Sequence, residues 1–162
     1  ADAPAHKIGE YPGDGTTVKY NDDIFVGYRY FDKYKVKPQF SFGHGLSYSK
    51  FDYGKLSTQT SNGQVIVSFN VKNSSSRAGA EVVQLYVKDR KSSVARPEKE
   101  LKAFEKVFLN PGEIKELRFV LNSDAFSFFD EEQMKWGQEA GDFDILAGSS
   151  SSDIRSKRKI KL

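Results

Sequence analysis

Asn62-Gly63-Gln64-Val65-Ile66-Val67-Ser68-Phe69-Asn70-Val71-Lys72 is the stretch on which the fold turns. Val65, Val67, Phe69 and Val71 alternate with Ile66, Ser68, Asn70 and Lys72, so a period of two puts one apolar face on a strand. Asn62-Gly63 is a type I′ hairpin signal that joins this strand to another near 52–60. The alternation returns at Val83, Leu85 and Val87, at Leu117, Phe119 and Leu121, and at Phe143, Ile145 and Ala147. Leu101 to Leu109 is strand-like but mixed in phase, which predicts a bulge. Asn110-Pro111-Gly112-Glu113 carries proline second and glycine third, the order of a tight turn. Phe126–Asp130 and Met134–Gly137 read as a short bend and strand, and the chain ends in a serine run and a basic strand. About seven short strands at regular spacing predict an all-β, antiparallel, immunoglobulin-like sandwich over residues 51–162.

Residues 1–50 follow no such pattern. Their rings are Tyr11, Tyr20, Phe25, Tyr28, Tyr30, Phe31, Tyr34, Phe40, Phe42 and Tyr48. The larger aliphatics are only Ile8, Val18, Ile24, Val26, Val36 and Leu46, and breakers are dense, as in Pro12-Gly13-Asp14-Gly15. Residues 23–31 read as a short helix or an extended piece. Tyrosine combines an apolar face with a polar tip that wants a partner. The segment is therefore expected to be an irregular arm that docks on a surface outside this chain. Its rings would serve either as a platform for sugars or, more simply, as buried contacts between domains.

The 162 residues suit one domain and an extension, and 38% hydrophobic with 29% charged residues is globular. No apolar run approaches about eighteen residues, so no membrane span is expected. No charged-then-apolar leader is present, so an export signal would lie elsewhere or have been removed. Zero cysteines exclude a disulfide framework and a cysteine nucleophile. The net charge of +3 comes from Arg155, Lys157, Arg158, Lys159 and Lys161; without these five of 25, 20 basic residues face 22 acidic ones. A solvated or frayed last strand explains that cluster better than a polyanion site, and nucleic acid is not expected as a partner.

Catalytic chemistry finds little support. Asp22-Asp23 and Glu131-Glu132 are sequence neighbours in polar stretches, unlike two carboxylates aimed at one substrate. The only histidines, His6 and His44, have no partner at ligand spacing, so no metal site is expected. Ser41 and Ser47 lie near His44, but no G-x-S-x-G elbow is present. His44, between Gly43 and Gly45, reads as a turn residue whose ring bonds backbone across an interface. Gly13-Asp14-Gly15 lacks a phosphate-loop lysine. Asn73-Ser74-Ser75 matches a glycosylation acceptor, a triplet common by chance.

Three segments, Tyr11-Pro12-Gly13, Ile24-Phe25-Val26-Gly27-Tyr28-Arg29-Tyr30-Phe31-Asp32 and Phe42-Gly43-His44-Gly45-Leu46-Ser47-Tyr48, resemble the late region of glycoside hydrolase family 3. Arg96-Pro97-Glu98-Lys99-Glu100-Leu101 with Phe104, and Leu109-Asn110-Pro111-Gly112-Glu113, resemble its fibronectin type III-like C-terminal domain. Phe128-Phe129-Asp130-Glu131, Trp136, Gly141-Asp142-Phe143 and Gly148-Ser149-Ser150 continue the likeness, which covers nearly the whole chain. Ser41 stands where the family often has proline, and Ala103 where glycine is frequent.

The resemblance implies a parent of β-glucosidase or β-xylosidase kind, retaining, with a barrel and then an α/β sandwich domain. A retaining mechanism needs two carboxyl groups about 5–5.5 Å apart; in the family both lie before the region matched here. It therefore implies no catalytic, cofactor or metal residue in this chain, and no hydrolysis by this chain alone. Residues 1–50 would be the tail of the α/β sandwich domain plus linker, so that the chain begins inside a domain, and 51–162 the accessory domain. The partner would be the upstream catalytic domains, with carbohydrate reached through the parent, in the periplasm or outside the cell. The expected interdomain contacts are Phe25, Tyr28, Arg29, Phe31, Phe40, Phe42, His44 and Tyr48. The alternative, an independent carbohydrate-binding module, needs two or three exposed rings; Trp136, the only tryptophan, is expected to be buried and counts against it.

Overall fold

The structure is a computed structural model that describes residues 13–19, 21 and 23–162. His6, Ile8, Tyr11, Pro12, Tyr20 and Asp22 lie outside the described residues. Among the described residues ten strands follow one α-helix, α1, Tyr28–Tyr34, and a 3-10 turn spans Ser123–Ala125. The strands are β1 Phe51–Tyr53, β2 Ser57–Ser61, β3 Gln64–Asn73, β4 Gly79–Asp89, β5 Glu100–Leu109 and β6 Ile114–Leu121, then β7 Phe128–Asp130, β8 Lys135–Gly137, β9 Asp142–Gly148 and β10 Ile154–Lys161.

Strand β3 is the spine of the first sheet. It pairs antiparallel with β6 along one edge, and with β2 and β1 in succession along the other. The Asn62-Gly63 turn has φ of 50° and 72°, the two positive values a type I′ hairpin requires. The strand expected near 52–60 is split into β1 and β2. Between them Gly54 N–H donates to Asn70 O at 2.8 Å, and Leu56 turns fully inward.

The second sheet runs β10-β9-β4-β5, all antiparallel. The bulge expected in β5 is present: Leu85 pairs with Ala103 and Tyr86 with Leu101, which leaves Lys102 unmatched. At Pro111-Gly112, φ of 75° at Gly112 and a 3.0 Å bond from Glu113 N–H to Asn110 O close the predicted turn. The two sheets meet over a core of Val65, Val67, Phe69 and Val71 against Val83, Leu85, Val87, Phe143, Ile145 and Ala147, joined by Leu117, Phe119 and Leu121. Each such side chain contributes about 1.5–3 kcal/mol by leaving water. The alternation read from the sequence is thus the inward face of the sandwich.

The basic terminal strand is not frayed. β10 pairs with β9 along its length, and Lys157 and Lys159 reach Asp144 and Asp142 at 2.9 and 2.7 Å. The expectation that Trp136 is buried is overturned. It sits on β8, opposite Phe129 of β7, in a two-stranded hairpin outside both sheets, and is 71% exposed. A ring placed on a hairpin off the sandwich has no opposing sheet to cover it.

Candidate docking surface on the arm

Helix α1 is too short to be stable alone, since nucleation is costly and seven residues close few hydrogen bonds. It is held instead by the sandwich. Leu101 N–H donates to the Tyr28 hydroxyl at 2.9 Å, Arg29 meets Glu100 at 3.2 Å, and Lys99 meets Asp32 at 2.6 Å. The expectation that the arm must find its surface outside the chain is therefore corrected in part. Its middle docks on the outer face of the second sheet, because that face is itself apolar. With Val83, Leu85 and Val87 pointing inward, Gln84 and Tyr86 point out, yet both are buried. The Tyr28 ring stands edge-on to Tyr86 at 6.0 Å, and Phe42 stacks on Tyr28 at 5.0 Å.

Gly43 closes this contact. Its φ is +79°, and a Cβ there would lie 2.2 Å from Gln84 Nε2. The Gln84 amide, so approached, donates to Ser149 O at 2.7 Å and accepts from the Tyr86 hydroxyl at 2.5 Å. Ser151 N–H donates to Phe42 O at 2.9 Å, and the Ser41 and Ser152 hydroxyls bond at 2.5 Å. With the Gln84 amide also donating to Gly43 O at 3.4 Å, three hydrogen bonds fix the segment around Gly43 to the sheet and to the β9–β10 loop.

The residues just beyond this fixed segment are unusually bare. Leu46 is 94% and Tyr48 92% exposed, and Phe40 and Phe42 also present their rings to solvent. Phe104 and Phe108 add exposed rings on the same outer face of β5. Apolar side chains gathered in this way on a held loop mark an interaction surface.

The eight residues expected at a contact divide into two groups. Phe25 is buried beneath the Lys33 ammonium, 3.2 Å from its ring centre, while Tyr28, Arg29 and Phe31 are half-buried in the arm's contact with the sandwich. Phe40, Phe42, His44 and Tyr48 stay exposed, with His44 stacked on Phe40 at 5.4 Å and its N–H turned back to Ser41 O at 2.9 Å. Sequence reasoning missed Tyr30, buried on α1, and Leu46 and Gln84. Leu46 alone carried a signal, as the sole aliphatic within a run of rings and glycines.

Charge fastens the same contact. Burial alone would raise the Glu100 carboxyl, but the hydrogen bond from Arg96 and the charges of Lys102, Arg96 and Arg29 outweigh it and hold it below the usual range. Arg96, itself buried, donates to Glu100 at 2.9 Å, to Phe126 O at 3.1 Å and to Ser127 O at 3.2 Å. A bond from Lys88 first, then the charges of Lys88, Lys35 and Lys99, lower Glu98 despite partial burial. These clusters anchor the arm; none places two free carboxylates across a cleft.

Among the described residues no three metal-ligating side chains converge, and no helix is long and apolar enough to cross a membrane. Glu131 and Glu132 are exposed, and neither Ser41 nor Ser47 bonds the His44 ring. Asn73 of the acceptor-like triplet is fully buried, its amide donating to Arg77 O and Leu109 O at 2.7 and 3.0 Å, so it is a turn-building residue.

Two packed antiparallel sheets with an arm on one outer face define a fibronectin type III-like sandwich, and residues 81–151 match the family described as "Fibronectin type III-like domain". Beyond that class, the chain matches the C-terminal, fibronectin type III-like region of glycoside hydrolase family 3 β-glucosidases, a non-catalytic part of a larger hydrolase. It is 50% identical over 156 residues to the thermostable β-glucosidase B of Acetivibrio thermocellus, covering 94% of this chain and 21% of that protein. It is 49% identical over 160 residues to the β-glucosidase BoGH3A of Bacteroides ovatus, covering 95% of this chain and 21% of that one. The crystal structure of the family 3 β-glucosidase of Bifidobacterium adolescentis superposes with a TM-score of 0.93 at 39% identity, over 99% of this chain and 24% of that chain. The chain thus spans about a fifth of the length of the curated relatives it matches.

Proposed function

We propose that this chain is the accessory C-terminal portion of a β-glucosidase-type hydrolase, and that it buttresses catalytic domains encoded ahead of it and shapes the approach to their substrate site. On this reading residues 1–50 are the tail of the preceding α/β domain with its linker, and 51–162 form the accessory domain. The observation that carries the reading is the 94% and 92% exposure of Leu46 and Tyr48 on a loop whose neighbour is tied down three times. A flexible loop could fold its rings away; a loop fastened at Gly43 presents them. The contact would be made by Phe40, Phe42, Leu46 and Tyr48, with His44 and Phe31 beside them.

The test is to express the polypeptide encoded ahead of Ala1, with and without this chain, and to follow aryl-β-glucoside hydrolysis and thermal unfolding. Adding the chain is expected to raise both activity and the unfolding midpoint, and a Leu46→Ser/Tyr48→Ser chain is expected to do neither. An upstream polypeptide equally active and stable by itself overturns the reading.

A further inference from the structure

A second site lies at the far end of the sandwich. The loop carrying Tyr48 sits where β4 begins: Ser49 Oγ donates to Arg77 O at 2.9 Å, and the Tyr48 ring lies 5.8 Å from the Arg77 guanidinium. The strand is eleven residues long and ends at Asp89, which meets Arg96 at 3.5 Å. At about 3.3 Å per residue the two ends are roughly 30 Å apart. Beside Arg96 opens a cleft of about 1160 Å³, walled by the β7–β8 hairpin, the 93–97 loop, the start of β5 and the first turn of α1. That exceeds the roughly 300–1,000 Å³ of ordinary ligand pockets and leaves room for more than one small ring.

The lining has a particular chemistry. Trp136 stands at its rim, propped edge-to-face by Phe129 at 5.7 Å, so that the indole is presented rather than packed. The carboxylates of Asp124, Glu131 and Glu132 line the same cleft and have no hydrogen-bond or ion-pair partner among the described residues. The cationic donors Arg29 and Lys102, both drawn to Glu100, line it as well, as do Asp23 and Asp130. An exposed indole face suits the C–H face of a pyranose. Unpaired carboxylates accept from vicinal hydroxyls, and the cations donate to ring and hydroxyl oxygens. A cationic peptide would meet the same acids but would leave the donors Arg29 and Lys102 without a partner in the ligand.

We propose that this cleft binds a neutral oligosaccharide, with Trp136 as the stacking platform. The site is distinct from the docking loop and is tested on this chain alone, so its failure leaves the buttress reading standing, and the reverse also holds. Because Trp136 is the single tryptophan, its fluorescence reports the site directly. Cello-, laminari- and xylo-oligosaccharides are titrated into the chain, with oligolysine as a fourth arm. A saturable spectral change with at least one of the three sugars is expected. By calorimetry, Trp136→Ala should weaken that binding by about tenfold or more. Glu131→Gln/Glu132→Gln, which leaves the hairpin rings in place, should weaken it several-fold and guards against a misfolded tryptophan variant. No saturable response to any of the three sugars, a response to oligolysine alone, or undiminished binding by both variants overturns the proposal.

Discussion

Glu100 shows how much of this molecule rests on one side chain. It gathers Arg96, Arg29 and Lys102, so it joins the start of β5, the loop before it and the arm helix at a single carboxylate. Its carboxyl is held below the usual range because those cations outweigh the raising effect of its burial. Glu98 and Asp153 are lowered for the same kind of reason, by their bonds to Lys88 and Arg155. For such groups the unfolded chain takes up protons first as pH falls, so their stabilisation is full above the unfolded carboxylate range and lost on acidification through the folded values. Glu81 has the opposite sign: burial raises it despite the Tyr53 hydroxyl and Arg155, so its contribution is lost as pH rises through its folded value. Glu100→Gln should therefore lower stability at neutral pH by about 1.5–3 kcal/mol. It should also flatten the acid limb of the unfolding midpoint as pH falls through and below the usual carboxylate range. Urea melts across that range decide it; an acid limb as steep as the parent's would show that Glu100 is not the group responsible.

At the scale of elements, the sandwich and the arm obey different rules. Strands such as β3 and β6 carry their own instruction, since inward and outward residues alternate and turn chemistry sits at Asn62-Gly63 and Pro111-Gly112. Helix α1 carries almost none. Its seven residues hold four aromatic rings, no acidic residue in the first turn and no side-chain cap. A peptide spanning residues 23–38 is accordingly expected to give no helical circular dichroism in water, and a helical spectrum would place the stability of α1 in the segment rather than in its docking on Tyr28 and Glu100. This contrast explains what could be read in advance. The core alternation, the bulge in β5 and the hairpin turn were legible because each depends on a few consecutive residues. The burial of Tyr30, the tie between Gly43 and Gln84 and the exposure of Trp136 were not, because each depends on which distant strand lies opposite. Seven residues are also too few to display a helical period, so 23–31 admitted both a helix and an extended piece.

For the molecule as a whole, the exposed rings form one side of an unmatched surface. Phe40, Phe42, Leu46 and Tyr48 lie on the arm, and Phe104 and Phe108 continue onto β5 beside it. Water in contact with such a patch raises the free energy of the isolated chain, and any second apolar surface relieves it. In the absence of another partner that surface is a second copy of the same chain. The arm cannot collapse inward to hide these side chains, because Gln84, Ser151 and Ser152 hold the loop at Gly43, Phe42 and Ser41. The chain studied alone is therefore expected to self-associate as its concentration rises. Leu46→Ser/Tyr48→Ser should shift that association to about tenfold higher concentration while leaving the unfolding midpoint unchanged, since neither side chain packs on the core. Sedimentation equilibrium over a wide concentration range measures both chains. A parent chain monomeric throughout would mean that the rings are tolerated by water, and would remove the physical reason for assigning them a partner.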